Sequence, residues 1–352
     1  MQFNTPILTP LLRGASVIAL SLLVATSPLS AKPEKSAAAS KSVKKDAKTL
    51  HFTNARDVKA SLKALEAGKG QHVQDLVLSD HIGDAEAIAF ANLISSGKLP
   101  ALGSLQVHVT DIGDAGAKAL AAALSSGKVP HLRYVAIFTH NKISKVGGEA
   151  IFHLISSPQV PSLKHFTLFG CKMGETAAAT FETMPIQPQL ASLQLDGSLG
   201  TVGVSALVSA IASNKLPKLR YLAMGDNQIG DTEAKAIADV ILAGKTPMLQ
   251  DLNLRDSQIG DSGILALSKA FSSGKVPHLK NLILDVRKAG DKSVATLVAA
   301  VTSGKIPELS SLVLGDRKFD KAEKKALEEA KFVYEVYPKG GVWRRAKASI
   351  GK

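Results

Sequence analysis

The 352-residue sequence predicts an α/β solenoid, a stack of similar strand–turn–helix units, and three observations lead to that prediction. Near-identical segments recur at intervals of 27 to 31 residues from Val73 to Leu309. Each segment begins with alternating apolar residues, which is typical of a short strand, and continues with an apolar stripe at helical spacing. No unit can bury that stripe alone, so the units must stack on one another.

The elements of one unit follow from its residue types. The strand has the pattern LxxLxL, as in 252–254, and Ile-Gly-Asp follows it, as in 112–114. Glycine allows an unusual turn, and the aspartate is predicted to cap the helix that starts directly after it. The helical stripe, seen in 117–124, ends in Ser-Gly-Lys-x-Pro. We expect Gly127 to adopt the left-handed conformation and Pro130 to prevent the helix from continuing.

The terminal and central units depart from this pattern. Residues 50–72 resemble a degenerate first unit, whereas 320–330 predict a polar last helix and 332–337 a closing strand. Three consecutive central units are irregular in length or in their turns: those that begin at Leu132, Leu163 and Leu190.

The repeated pattern LxxLxLxx(N/C)xI, over about residues 73–330, resembles the leucine-rich repeat family. The unit length, the full helix and an IGDxGAxALAxAL-like segment are similar to its ribonuclease-inhibitor-like subtype. The resemblance implies a leucine-rich-repeat solenoid, or horseshoe, with parallel strands on the concave face and helices on the convex face. It also implies a non-catalytic scaffold that binds another protein on the concave face.

The fifth and seventh positions of each unit are predicted to point outward from the concave face. The candidate protein-binding residues are Gln106, His108, Phe138, Phe169, Asp196, Asn253, Arg255 and Asp285. Phe138 and Phe169 are expected to lie side by side on adjacent strands, with His108 and Asp196 beside them. Exposed phenylalanines suit an interface anchor. The alternative is that these rings fill space where the irregular units curve differently.

The net charge of +13, from 43 Lys and Arg against 30 Asp and Glu, raises the question of an anionic partner. By segment, the charge is +1 over 1–31, +4 over 32–49 and +5 over 338–352, which leaves +3 for 50–337. No basic stripe is evident within the solenoid. The sequence therefore assigns any attraction to an anionic surface to the two ends and predicts no specific nucleic-acid binding.

The N-terminal segment 1–31 has the order of a secretory signal peptide. A single cation, Arg13, precedes the apolar run Ala15–Ala25, and small residues follow up to Ala31. The run is too short for a transmembrane helix. Export to a periplasmic or secreted location after cleavage is therefore expected, and 32–49 is predicted to be a basic low-complexity linker. The alternative, an organelle transit peptide, is opposed by the single arginine.

The C-terminal segment 338–352 is predicted to be a basic tail that follows a solenoid over 50–337. The only tryptophan stands beside two arginines, a combination that suits a negatively charged surface. The candidate contacts are Lys339, Trp343, Arg344, Arg345 and Lys347. The alternative is a frayed, solvated tail.

The sequence offers no catalytic constellation. The only cysteine, Cys171, occupies the ninth position of its unit, where Asn227 and Ser257 stand in theirs. The resemblance implies a structural role there, bonding the backbone of the turn. Gly244-Lys245-Thr246 lacks the earlier glycine of a phosphate loop, and no histidine spacing suits a metal. We therefore predict no enzymatic activity, no cofactor and no metal.

Two other functions stay open. One is a GTPase-activating regulator of the Ran-activating type, which the export signal opposes because that activity belongs inside the cell. The other is an envelope- or membrane-associated structural protein held by its basic ends. The preferred prediction is a monomeric scaffold for an unidentified protein partner.

Overall fold

The computed structural model describes residues 48–108, 110–138, 142–171, 173–315, 319–337 and 340–345. The predicted signal peptide and all but the last two residues of the predicted linker lie outside these ranges, so both stay predictions. Within them, one continuous fold of strands and helices extends from Thr49 to Arg345.

The described strands form one sheet in the order β1 to β10, then β12, then β11. Neighbouring strands from β1 to β10 are parallel, and β12 is antiparallel to both β10 and β11. Their bounds are β1 Thr49–Asn54, β2 Asp75–His81, β3 Ser104–Val107, β4 Tyr134–Ile137, β5 His165–Leu168, β6 Ser192–Gln194, β7 Tyr221–Ala223, β8 Asp251–Leu254, β9 Asn281–Leu284, β10 Ser311–Val313, β11 Phe332–Tyr337 and β12 Gly340–Arg345.

A helix follows each of the parallel strands, and the resulting α/β horseshoe is the predicted fold class. The α-helices are α1 Ala55–Ala64, α2 Asp84–Ser95, α3 Asp114–Leu124, α4 Lys145–Phe152, α5 Gly174–Thr183, α6 Gly200–Ala212, α7 Asp231–Leu242, α8 Asp261–Ser272, α9 Asp291–Thr302 and α10 Lys321–Glu329. Among the described residues, no helix combines the length and the apolar character that crossing a bilayer requires.

The core lies between the sheet and the helices as a single apolar cluster. The inward strand residues Leu105 and Leu252 are at most 1% exposed, and so are Ala117, Leu120 and Leu124 of α3. The two periodicities in the sequence thus meet in one interior, which leaves the odd strand positions on the opposite side of the sheet. We call that outer side the sheet face.

The helix ends also follow the prediction. Gly127 and Gly274 have φ of 74° and 70°, and Asn214 takes the same left-handed conformation with φ of 58°. Helices α2, α3, α6, α8 and α9 therefore stop at their Ser-Gly-Lys or Ser-Asn-Lys segments, and the chain turns back towards the next strand.

The role predicted for the helix-start aspartates is wrong in one respect. Gly113, not Asp114, is the cap of α3, and Asp114 is the first helical residue. Its carboxylate accepts hydrogen bonds from the next unit, from the Ser144 and Gly147 N–H groups at 2.8 and 3.0 Å and from the Ser144 hydroxyl at 2.6 Å. Helix starts of adjacent units lie side by side, so the carboxylate reaches the neighbour's unpaired N–H groups instead of its own.

This contact, which we call the aspartate stitch, recurs along the solenoid. It joins Asp84 to Gly113 and Gly116, Asp231 to Gly260 and Gly263, and Asp261 to Gly290 and Ser293. A Cβ added at Gly116 or Gly263 would lie 2.7 Å from the stitching carboxylate oxygen, and one at Gly147 only 2.5 Å away. The second glycine of the IGDxG pattern is therefore explained by the close approach of the neighbour's carboxylate.

Asp231→Ala tests the stitch. The variant loses acceptors for Gly260, Gly263 and Ser262, and we expect the free energy of unfolding to fall by about 1 to 2 kcal/mol in urea denaturation. Burial opposes ionisation of Asp231, but these hydrogen bonds outweigh it and lower its pKa below 3.8. The difference between wild type and variant should therefore be full above pH 3.8 and disappear as the pH falls through that lowered pKa.

The matched control is Asp239→Ala on the same helix. Asp239 forms only an exposed ion pair with Lys235, so its removal should change the free energy of unfolding by about 0.5 kcal/mol or less. Equal losses in the two variants would show that the stitch contributes nothing beyond surface charge.

At the C-terminus the structure corrects the predicted tail. The segment 332–337 is the expected closing strand, but 340–345 is also a strand, inserted between β10 and β11. Trp343 is only 3% exposed, with its ring 5.9 Å from that of Phe319 in a T-shaped contact. A parallel sheet that ended at β10 would leave a row of unpaired backbone groups, and β12 pairs with them.

Candidate functional site

Aromatic side chains line the sheet face where the irregular units begin. His108, Phe138 and Phe169 stand at the seventh positions of three adjacent units, and Tyr134 and His165 stand at the third positions of two of them. All five side chains are half-buried. Together they form two rows about 13 Å apart, since four residues of strand separate the third position from the seventh.

The rings within each row are in contact. Phe138 stacks on His108 with centroids 5.0 Å apart and planes 8° from parallel, and on Phe169 at 5.8 Å and 30°. In the other row, the rings of Tyr134 and His165 lie 5.8 Å apart and are tilted by 41°. Stacking of this kind holds each ring in one orientation, which lowers the entropy that binding would have to remove.

The floor between the two rows is low. It consists of Ala136 and Thr167 at the fifth positions, and both are buried, at 0% and 2% exposure. Gln106, on the strand before, is half-buried and donates to the Ser104 hydroxyl at 3.3 Å. Large rings on either side of two small residues make a trough, and we call it the aromatic trough.

The histidines of the trough are neutral at neutral pH. Burial lowers the pKa of His108 below 6.5, a neighbouring His51 charge lowers it further, and Asp80 opposes the change. Burial also lowers the pKa of His165, with the Lys164 charge acting in the same direction. The trough is therefore an uncharged, aromatic surface above pH 6.5.

Further along the chain, the sheet face carries charged side chains. We call them the ionic cluster: Asp196, Asp226, Arg255, Asp256, Asp285 and Arg287. The Arg255 guanidinium lies 3.5 Å from Asp196, 2.5 Å from Asp226 and 3.3 Å from Asp256. Arg287 bonds Asp285 and lies 3.2 Å from Asp256. Four carboxylates thus share two guanidinium groups, which leaves the cluster acidic.

Three of the predicted contact residues are buried, which corrects their assignment. Asp196, Asn253 and Asp285 are at most 5% exposed, because each bonds the backbone of its own or the next turn. Asp196 accepts from the Gly225 N–H at 3.0 Å, Asn253 from the Arg255 N–H and Asp285 from the Arg287 N–H, both at 3.1 Å. Arg255 keeps about a quarter of its side chain exposed.

Asp196→Asn tests the electrostatics of the cluster. Burial raises the pKa of Asp196 from 3.8 to about 6, although Arg255 opposes the change. A raised carboxyl pKa means that wild-type stability falls as the pH rises from 3.8 to about 6 and is constant above that. Asparagine does not ionise, so the variant lacks this pH dependence. Its free energy of unfolding relative to wild type should therefore rise by an amount of the order of 3 kcal/mol between pH 4 and pH 7. Urea unfolding at both pH values measures it, and an unchanged difference would refute it.

The C-terminal candidates are not available as predicted. Trp343 is buried in the sheet, and Arg344 and Arg345 are half-buried. The Arg345 guanidinium donates to the Pro307 carbonyl at 2.7 Å and lies 5.2 Å from the Phe332 ring. These contacts hold the closing strand in place. Lys339 and Lys347 lie outside the described residues.

Cys171 is a structural residue of the turn. Its side chain is 2% exposed, its thiol lies 3.7 Å from the Phe169 carbonyl, and burial raises its pKa to about 12. The equivalent Asn227 donates to three backbone carbonyls and accepts from the N–H groups of Leu199 and Gly200. A thiol with that pKa is protonated at neutral pH and is a poor nucleophile.

Sequence reasoning missed the second row of the trough. Tyr134 and His165 stand at the third position, which shares the outward direction of positions five and seven, and both lie in irregular units. Asp226, Asp256 and Arg287 of the ionic cluster were missed as well, because the turn that brings them together is not regular strand. Extending the alternation of outward residues back from the fifth position to the third would have identified Tyr134 and His165.

Comparisons with known proteins give a match to one family model and to several solved structures. The family model described as Leucine Rich repeat matches residues 215–238 and 246–268. The search of curated proteins gave no match. Among solved structures, a Bacteroides fragilis protein is 15% identical, with a TM-score of 0.47 over 73% of this chain and 72% of its own. An internalin from Listeria monocytogenes is 18% identical, with a TM-score of 0.38 over 74% and 80%.

Proposed function

Because this chain carries leucine-rich repeats, which are typical protein-interaction scaffolds, we propose that it is a non-catalytic scaffold that binds a protein partner on its sheet face. The aromatic trough is the observation that carries this proposal. Soluble proteins seldom expose a contiguous set of large rings, and such sets mark interaction sites.

The trough has the anatomy of an interface centre. Phe138 and Phe169 form its apolar wall, and the polar groups of Gln106, Tyr134 and His165 stand around it. An apolar side chain of the partner would fill the space above Ala136 and Thr167, where the floor is lowest. Binding energy at interfaces concentrates in such central aromatic anchors, and polar surroundings exclude water from them.

The ionic cluster adds a preference for charge. Its four carboxylates exceed its two guanidinium groups, so it attracts a positively charged residue of the partner. The partner we propose therefore presents an apolar anchor next to a lysine or arginine. Charge at this position contributes chiefly to the association rate and to the choice of partner.

Other properties belong to the same proposal. The full helices in most units support a ribonuclease-inhibitor-like subtype, and the protein is taken to be a monomer. We place it outside the cytoplasm, in the periplasm or secreted, on the basis of the leader over 1–31. Sequencing the N-terminus of the mature chain tests the export proposal, since a retained Met1 would contradict it.

The proposal that the scaffold is non-catalytic is supported by the chemistry of two sets of described residues. Cys171 has a raised pKa and is buried. The helix-start carboxylates, which could be mistaken for repeated metal ligands, accept from N–H and hydroxyl donors of the next unit at Asp84, Asp114, Asp231 and Asp261. Both groups thus serve the fold.

Affinity capture from the exported fraction tests the function. The full chain is used as bait beside a variant with Phe138→Ala and Phe169→Ala, and mass spectrometry identifies what each retains. A protein that the wild type retains and the variant does not is the expected result. Partners that are retained equally by both would place the interaction elsewhere on the molecule.

A further inference from the structure

From α2 to α9, the segments that lead from each helix to the next strand meet along one edge of the solenoid, and they are strongly basic. They contain eleven Lys or Arg residues and a single acid, Glu308. We call them the basic edge: 96–103, 125–133, 157–164, 184–191, 213–220, 243–250, 273–280 and 303–310. This finding corrects the expectation that the solenoid has no basic stripe.

The basic edge is not evident from the net charge of +3 over residues 50–337. Acids concentrate at the opposite edge, where Asp84, Asp114, Asp231, Asp261 and Asp291 begin helices. A four-residue strand alone separates the two edges by about 13 Å, which exceeds the Debye length of about 8 Å at physiological salt. Solution ions therefore screen each edge from the other, and a partner at the basic edge experiences mainly its positive charge.

Helix capping explains only part of this charge. Lysines such as Lys128 and Lys275 follow helix ends and complement the helix dipole. Arg133, Lys164 and Arg220, in contrast, directly precede strands. The N–H of Lys164 bonds the Arg133 carbonyl at 2.9 Å, so these two cations stand on adjacent rungs of the backbone ladder. Their spacing is therefore about 5 Å, and it is not set by any helix.

The edge has a cavity at this point. Its volume is about 580 Å³, and its polar lining is Gln74, His131, Arg133, Ser162, Lys164 and Gln189. No carboxylate is among the described residues that line it. The two cations and the surrounding donors suit a phosphate group.

We propose that the basic edge docks on an anionic lipid bilayer, with a headgroup phosphate held between Arg133 and Lys164. Two properties favour a bilayer over nucleic acid. The edge contains no Phe, Tyr or Trp on which bases could stack. Nine of its eleven cations are lysines, which act as point charges and lack the planar fork that reads bases or grips nucleic-acid phosphates in pairs.

Vesicle sedimentation with the full chain tests the proposal. Phosphatidylcholine vesicles with and without phosphatidylserine are compared at low and high salt. Lys128, Arg133 and Lys164 are replaced together by glutamine; all three are exposed, so the melting temperature should not change. We expect binding only to the anionic vesicles, weakened by salt, and lowered about tenfold or more in the variant.

The matched control changes Lys59, Lys118 and Lys292 to glutamine. These lysines are exposed on α1, α3 and α9, so the net charge falls equally while the edge is intact. The control should bind like wild type. An equal loss in both variants would reduce the effect to net charge, and no loss in the edge variant would place binding in the chain ends; either outcome overturns the proposal. So would tighter, equally edge-dependent binding to duplex DNA.

Discussion

Replacing Trp343 by alanine is expected to lower the free energy of unfolding by about 3 to 5 kcal/mol. The side chain is 3% exposed and packs edge-on against Phe319, in a strand that pairs with both β10 and β11. Its loss opens a cavity where antiparallel pairing closes the parallel sheet. Urea denaturation measures the loss.

The region that loses structure in Trp343→Ala is as informative as the loss in the free energy of unfolding. A solenoid unit contacts only its neighbours, so unfolding should begin at the C-terminal end. Hydrogen exchange should therefore lose protection in Ser311–Val313 and Phe332–Tyr337 before the central strands. Val333→Ala is the control, because Val333 lies in the same hairpin with 54% of its surface exposed. Equal stability of wild type and Trp343→Ala would mean that 340–345 is dispensable, as a tail would be.

The variant with Phe138→Ala and Phe169→Ala is expected to bind its partner at least about 100-fold more weakly. Each ring is of the type and position that accounts for about 2 kcal/mol or more at interface centres. The two are neighbours in one stack, so their contributions will not be additive. Titration calorimetry with the partner captured by the wild type measures the change.

The stability of that variant distinguishes an anchor from a space-filling ring. Both side chains are half-buried on the sheet face, outside the interior cluster that holds Phe166 and Phe152. We therefore expect the melting temperature to stay nearly unchanged. Phe166→Ala, in the strand that ends directly before Phe169 and with a fully buried side chain, should instead destabilise by about 3 to 5 kcal/mol. A large drop in melting temperature with unaltered binding would favour the space-filling alternative.

The repeat made much of the fold predictable. The strand and helix periodicities, the left-handed glycines and the closing strand at 332–337 all follow from patterns that lie within one unit or recur in several. Residues 340–345 did not, because a single strand after a Gly-rich, basic segment has no repeat to identify it. The position of this strand follows from the unpaired backbone edge that β10 would otherwise present. That edge is a property of the folded sheet and cannot be seen in the sequence pattern.

The candidate site was predictable in part for a similar reason. The outward positions follow from alternation continued one residue past the strand, which located His108, Phe138 and Phe169. Asp196 and Asp285 stand at the same seventh position, but there the backbone N–H groups of Gly225 and Arg287 draw the carboxylates inward. Residue type and position alone do not distinguish a surface carboxylate from one that bonds a turn.

The aspartate stitch also accounts for where the sequence tolerates irregular lengths. A carboxylate at the first helical position must meet a glycine N–H about one unit further on, so stitched units cannot gain or lose residues freely. Lys145, Gly174 and Gly200 begin the central helices, and none of them supplies a carboxylate. No aspartate stitch therefore constrains the unit length over the part of the chain that contains the 27-residue unit and the shortened turn. Asp114 still stitches the unit that has one added residue, so the stitch tolerates a single insertion, and the shortened unit and turn lie where no aspartate stitch is formed.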